Sequence, residues 1–482
     1  MAKAFAAEAA ARWLRLEHTG TPRRFVLGAM LGAFAFALAG TSTASGPAFT
    51  RDSVAIDVEM PVAAAAARAP TKNAPFRYEF ALPDAYGWRD EPSATVAGGH
   101  ALVGRNGVLV DFDLATRREA VLAHVLPNLG AFVSGNAIVY GYRPAGALGT
   151  VVALDRRTHA MLWRRNASLL GAGAGHALLR VPSKDPKAVG DPAAGKLLDV
   201  DAMTGERRWD IPWAGCAPQR PITFLPRWAV VTWAGTCAVS ANEPFLWFIR
   251  LRDGAIHDTR DATAVLARRG DDLYVTGDDQ HWGTYGPGNL TVYDVNTGRV
   301  VRERAIAPDE PSSGDVAFGL SAGQYAIGDA LWVRLTGPGD PYAAAVYRYD
   351  LHDMHAKPGR LALARGVVWL GAADGDEAYV VNGSVLVAVI VRRDGSARAE
   401  AFAGSLDDPA EALVDGRFVY VRERGGRIAV FDRVARREVR VVAAGCEHLL
   451  AIEHAGAYRY ASCSEPLDEP NAPIVRGAFV AL

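Results

Sequence analysis

Four places in this sequence bring reactive side chains close together. His352-Asp353-Met354-His355 puts two imidazoles within reach of one metal ion, since neutral imidazole is a common ligand. Its position between Asp350 and Pro358 fits a solvated turn better. Asp278-Asp279-Gln280-His281-Trp282 combines carboxylates, an imidazole and an indole, the groups that hold a cation or a sugar, although a polar loop explains it as well. His100 follows two glycines on a strand and has no partner visible in the sequence. Cys216, Cys237, Cys446 and Cys463 form two local pairs, and in an oxidising compartment Cys216–Cys237 and Cys446–Cys463 would close as disulfides worth about 3 kcal/mol each. Buried free thiols are the alternative. No Cys-x-x-Cys occurs, which excludes zinc ribbons, c-type haem attachment and dithiol redox motifs. Phosphate-loop and nucleophile-elbow patterns are missing too, so no catalytic or metal-binding residue is assigned and any cofactor-binding set is left open.

The elements that would position such groups belong to a globular chain. Of 482 residues, 50% are hydrophobic and 22% charged, which is enough apolar surface for a large core. The balance of 52 basic and 53 acidic residues gives no field that would gather nucleic acid. Arginine outnumbers lysine 46 to 6, but both signs are scattered and no basic block stands out.

Arg12, Arg15, Arg23 and Arg24 precede an apolar run from Phe25 to Ala39, and small residues follow at Ser42 and Ala44. This is the order of an export signal, expected to span residues 1–44 with cleavage after Ala44. An uncleaved inner-membrane anchor over residues 25–44 is the alternative, because uncharged residues continue to Thr50. Removing residues 1–44 takes five basic residues from the 52 and two acidic from the 53, leaving a mature charge of −4. The protein is expected in the periplasm or secreted. Residues 45–75, with four prolines, read as a linker, and the folded domain as residues 76–482.

From Phe76 onward helical periodicity is missing, and short β-rich runs recur between Gly, Pro, Asp and Asn turns. The fold class is all-β. Val108–Asp113, Val151–Asp155, Lys196–Asp201 and Leu290–Asp294 each end in an Asp followed by a Thr. Weaker copies end near Leu251, Asp350, Val391 and Asp432, about 40 to 55 residues apart, the period of a four-stranded propeller blade. The expected architecture is one β-propeller of eight blades, with seven as the alternative. Val181–Gly195 and Pro308–Gly314 read as insertions of the kind that carry recognition.

Asp201, Thr204, Gly205 and Trp209 stand at the spacing of an Asp-x-x-Thr-Gly-x-x-x-Trp repeat. Asp155, Thr158 and Trp163 keep it with His159 in place of Gly; Asp294, Thr297 and Gly298 keep it with Arg302 in place of Trp; Asp113 and Thr116 keep its start. The pattern resembles the repeat of the pyrroloquinoline-quinone-like β-propellers. That resemblance implies a fold held by blade motifs and two possible functions. One is a non-enzymatic exported scaffold that presents loops to a protein or cell-envelope partner, as a monomer and without cofactor. The other is a periplasmic oxidoreductase using pyrroloquinoline quinone with calcium, or a metal. The adjacent Cys-Cys pair typical of such enzymes is missing, which favours the scaffold.

Overall fold

Strands buried on both faces need apolar side chains at every position, and the recurrent runs in this chain are such strands. The computed structural model describes residues 54–482 apart from 57, 62–68, 70, 74–75, 84–93, 128–129, 143–148, 183–194, 213–221, 234–244, 260–263, 279–287, 307–324, 338–339, 393–395 and 466–473. Each recurrent run is the third strand of a four-stranded antiparallel sheet, as in Ala131–Ser134, Ala137–Tyr142, Thr150–Asp155 and Met161–Asn166. First strands of neighbouring sheets approach one another, which puts them at the centre of the ring and the fourth strands at its rim. The fold is all-β, as expected. Among the described residues no helix is long and apolar enough to cross a membrane, and the apolar run Phe25–Ala39 lies outside them.

The described residues make nine four-stranded units, not eight. Eight follow in chain order from Thr95–Ala97 to Arg437–Ala443. The ninth joins the two ends of the chain: His448–Ala455, Tyr458–Glu465 and Ile474–Ala481 take Arg77–Pro83 as their outer strand. Nine apolar clusters fill nine seams. Leu102 and Leu109 meet Ile138 and Val152 between the first and second blades, and the last cluster packs Tyr460 and Phe479 against Ala101 and Phe112, closing the circle. The count came out one short from the sequence because the ninth blade has no Asp turn and draws its strands from both termini.

Part of the stretch expected as a linker is structural. Val54–Ala55 pairs in parallel with the outer strand of the sixth blade, Gly359–Ala362, and Thr71–Asn73 with that of the eighth, Arg437–Ala443. Between them Pro61 accepts a hydrogen bond from Asn382 of the seventh blade, at 3.5 Å. Outer strands present unpaired amides and carbonyls, and this strap satisfies two such edges. Ile56 is buried in the seam between the sixth and seventh blades.

Cys446 and Cys463 form the expected disulfide, with Cα atoms 5.3 Å apart, inside the composite blade. Cys216 and Cys237 lie outside the described residues. Replacing Cys446 and Cys463 together by Ser is expected to cost about 2–4 kcal/mol, read as a lower midpoint of chemical denaturation that reducing agent no longer shifts.

Candidate functional site

An Asp that ends a strand turns the chain by accepting from the amides two and three residues on. Asp113 binds the amides of Ala115 and Thr116 at 2.8 and 3.0 Å. Asp155, Asp201, Asp294 and Asp432 repeat the arrangement. The hydroxyls of Thr116, Thr158 and Thr297 donate to the same carboxylates, whereas that of Thr204 accepts from Glu206. The residue four after each Asp takes a positive φ: Arg117, His159, Gly205, Gly298 and Arg436. In the fourth blade Arg250 replaces the Asp and pairs with Asp253, reversing the polarity of the turn. Asp432 is held at about 2 by the guanidinium of Arg417 and by turn amides. The His352–His355 segment is the sixth blade's turn, where the amides of His352 and Asp353 bind Asp350 and both imidazoles are exposed. Of the Asp278–Trp282 group, residues 279–282 lie outside the described residues, as does Ala44.

The repeat tryptophans clasp one blade to the next. Trp163 Nε1 donates to Ala202 at 2.9 Å and its ring lies where a Cβ on Gly205 would stand; Trp209 donates to Leu251 at 2.8 Å and covers Gly254 in the same way. Only glycine fits there, because φ is positive and a Cβ would come within 2.7 Å of the indole. Trp228 takes this place over Gly298, and Trp332 Nε1 reaches Gly375 across the sixth seam.

Elsewhere the clasps are ionic. His159, which replaces the repeat glycine, reaches Asp111 of the first blade at 3.5 Å, while His100 holds the other oxygen of Asp111 at 2.9 Å. The partner of His100 was not legible because Asp111 sits within an apolar run. His176 repeats the pairing with Asp199 at 2.8 Å, and burial raises that carboxyl. Arg208 Nη1 stands 3.0 Å from His176 Nε2; since guanidinium only donates, Nε2 accepts and Nδ1 carries the proton toward Asp199. Arg269 pairs with Asp329, Arg348 with Asp376, Arg433 with Asp374 and Glu377, and His454 with Asp415, each across a seam. Burial pushes Glu377 up, but hydrogen bonds from Arg433, Tyr379 and Arg436 outweigh it and hold it below the usual range.

The Glu453 carboxylate on this face has no hydrogen-bond or ion-pair partner among the described residues. A cleft of about 580 Å³ opens at the seam between the ninth and first blades, bounded by the turns Gly98-Gly99 and Ala455-Gly456 and by His100, Asp113, Glu453 and His454. Burial raises the Glu453 carboxyl above its ordinary value. The cleft does not fit calcium, which takes six to eight oxygens: Asp113 spends both of its oxygens on Ala115 and Thr116, and His454 Nε2 is taken by Asp415. No quinone-dependent step follows from these residues. Glu453 and the seam clasps were not singled out from the sequence, since they depend on which blades become neighbours.

No protein-family model and no curated protein matches the chain. Among solved structures it is similar to BamB from Moraxella catarrhalis, at 14% identity over 72% of this chain and 95% of that one, with a TM-score of 0.40. It is also similar to the quinohemoprotein alcohol dehydrogenase from Comamonas testosteroni, at 12% identity over 80% and 74% of the two chains, TM-score 0.42. Sqt1 from Saccharomyces cerevisiae gives 8% identity over 86% of this chain and all of its own, TM-score 0.43.

Glu453 holds its proton more tightly folded than unfolded, so its contribution to stability falls as pH rises from its ordinary value of 4.5 through the raised one. Glu453→Gln removes that penalty. Its melting temperature is expected to match the parent near about pH 4 and to exceed it increasingly toward about pH 7.

Proposed function

We propose that the protein is an exported, non-enzymatic binding platform, acting as a monomeric ring for a protein or cell-envelope partner. The observation that carries this reading is the commitment of the polar groups on the Asp-turn face to partners in their own or a neighbouring blade. His159, His454, Arg433 and Arg436 spend their donors or acceptors across seams, while His100 and His176 pair with Asp111 and Asp199 inside their own blades. Groups tied into clasps at every side keep a surface in one shape, which lowers the ordering cost of binding a second molecule. The Cys446–Cys463 disulfide and the signal-like residues 1–44 support export. The rim supports a protein partner, because the fourth strands of the first, second, fourth and fifth blades expose Val121, Met161, Leu162, Ile256, Val300 and Val301.

The competing oxidoreductase reading is tested directly. Purified mature protein, incubated with pyrroloquinoline quinone and calcium, is expected to elute from gel filtration without bound quinone and to reduce no dye with alcohols or sugars. Quinone retention together with dye reduction would overturn the platform. Photo-crosslinkers placed along the rim in cells are expected to trap one discrete envelope protein.

A further inference from the structure

The chain itself shows what its rim accepts. Two outer strands carry a fifth strand in parallel, both from the N-terminal strap. At the sixth blade donor and acceptor match in charge. Gly359–Ala362 carries Arg360 and no acid, and it receives Val54–Ala55 from a segment reading Asp-Ser-Val-Ala-Ile-Asp-Val-Glu-Met over residues 52–60. Arg437–Ala443, with Arg437, Arg440 and Glu438, receives the segment containing Lys72, and charge does not set that pairing.

Among the described residues six other outer strands carry no fifth strand, and they differ in how they guard their edges. Arg207–Pro212 ends in proline and contains Asp210; Arg118–Ala123 contains Glu119, Val300–Ile306 contains Glu303, Ile256–Thr259 contains Asp258, and Ala397–Ala401 contains Glu400. Met161–Asn166 of the second blade differs from these. It has no acid and no proline, and it carries Arg164 and Arg165 beside Met161 and Leu162, which are 66% and 37% exposed. Arg165 donates to Gly205, whereas Arg164 has no acidic partner among the described residues. An open edge with aliphatic and cationic side chains and no carboxylate repeats the character of the sixth blade's rim, without its covering strand.

We propose that Met161–Asn166 receives an extended segment of a partner protein in which aliphatic and acidic residues alternate, added in parallel as a fifth strand. The site rests on the platform reading and names its partner's chemistry. Main-chain pairing supplies affinity, Leu162 takes the aliphatic positions, and Arg164 selects against basic segments.

The probe is a fluorescein-labelled nonapeptide with the sequence of residues 52–60, added to the full mature chain, whose own copy fills the sixth-blade edge. Saturable binding by fluorescence anisotropy is expected, weakened about tenfold by Arg164→Glu or by Leu162→Asp, and unchanged by Val301→Asp on the fifth blade. A peptide with both Asp and the Glu replaced by Lys is expected not to bind. Melting temperatures of the three variants, all at surface positions, check that the ring is intact. Binding indifferent to Arg164→Glu and Leu162→Asp would overturn the site, as would no binding up to about 1 mM. Concentration-dependent dimers lost in Leu162→Asp would overturn it in favour of a second copy's strap. Quinone-dependent dye reduction would instead sink the platform reading, whatever the peptide does.

Discussion

A closed ring of packed sheets has no end face, so every blade depends on the pairing of Arg77–Pro83 with Ile474–Ala481. Without it the apolar faces of the first and ninth blades would both meet water. The closing strand brings Tyr78 into a stack on Phe112, with ring centroids 3.7 Å apart, and Phe80 against Phe479 at 4.7 Å. Such aromatic pairs add about 0.5–1.5 kcal/mol each beyond the area they bury. The clasps at the other seams keep their geometry only while this one is shut, because each blade is positioned by both of its neighbours.

The clasps change from apolar to ionic around the ring. Tryptophan over glycine serves the seams of blades two to five, whereas blades seven to nine use Arg433, Arg436 and His454 against Asp374, Glu377, Glu400 and Asp415. The heavy use of arginine over lysine finds its reason here. A guanidinium forks between two acceptors in fixed geometry, as Arg433 does between Asp374 and Glu377, and a lysine ammonium does not.

The sequence disclosed the third strands because they are buried on both faces, and the Asp turns because their hydrogen bonds are local. Both signals lie within a dozen residues. The fourth strands were fainter, since one face meets solvent and Met161–Asn166 reads as no more than a polar stretch with two aliphatics. His159 read only as a replacement of the repeat glycine, yet it keeps the positive φ and adds a contact to Asp111. The strap, the ninth blade and the uncommitted Glu453 had no local signature at all. Each arises from residues hundreds of positions apart, which hydrophobic periodicity does not register.

The composite ninth blade also sets an order of events. Its outer strand is made early and the partner Ile474–Ala481 last, while the strap waits for the sixth and eighth blades, so the earliest-synthesised part of the domain stays unpaired through most of synthesis. The separation is about ten times that of contacts inside one blade, which adds only about 2 kcal/mol to the entropy of closure. The larger burden is kinetic, because contacts this distant slow folding and leave strand edges open to other chains meanwhile. A chain delivered unfolded across a membrane would therefore acquire its shape in one late step, when its tail arrives.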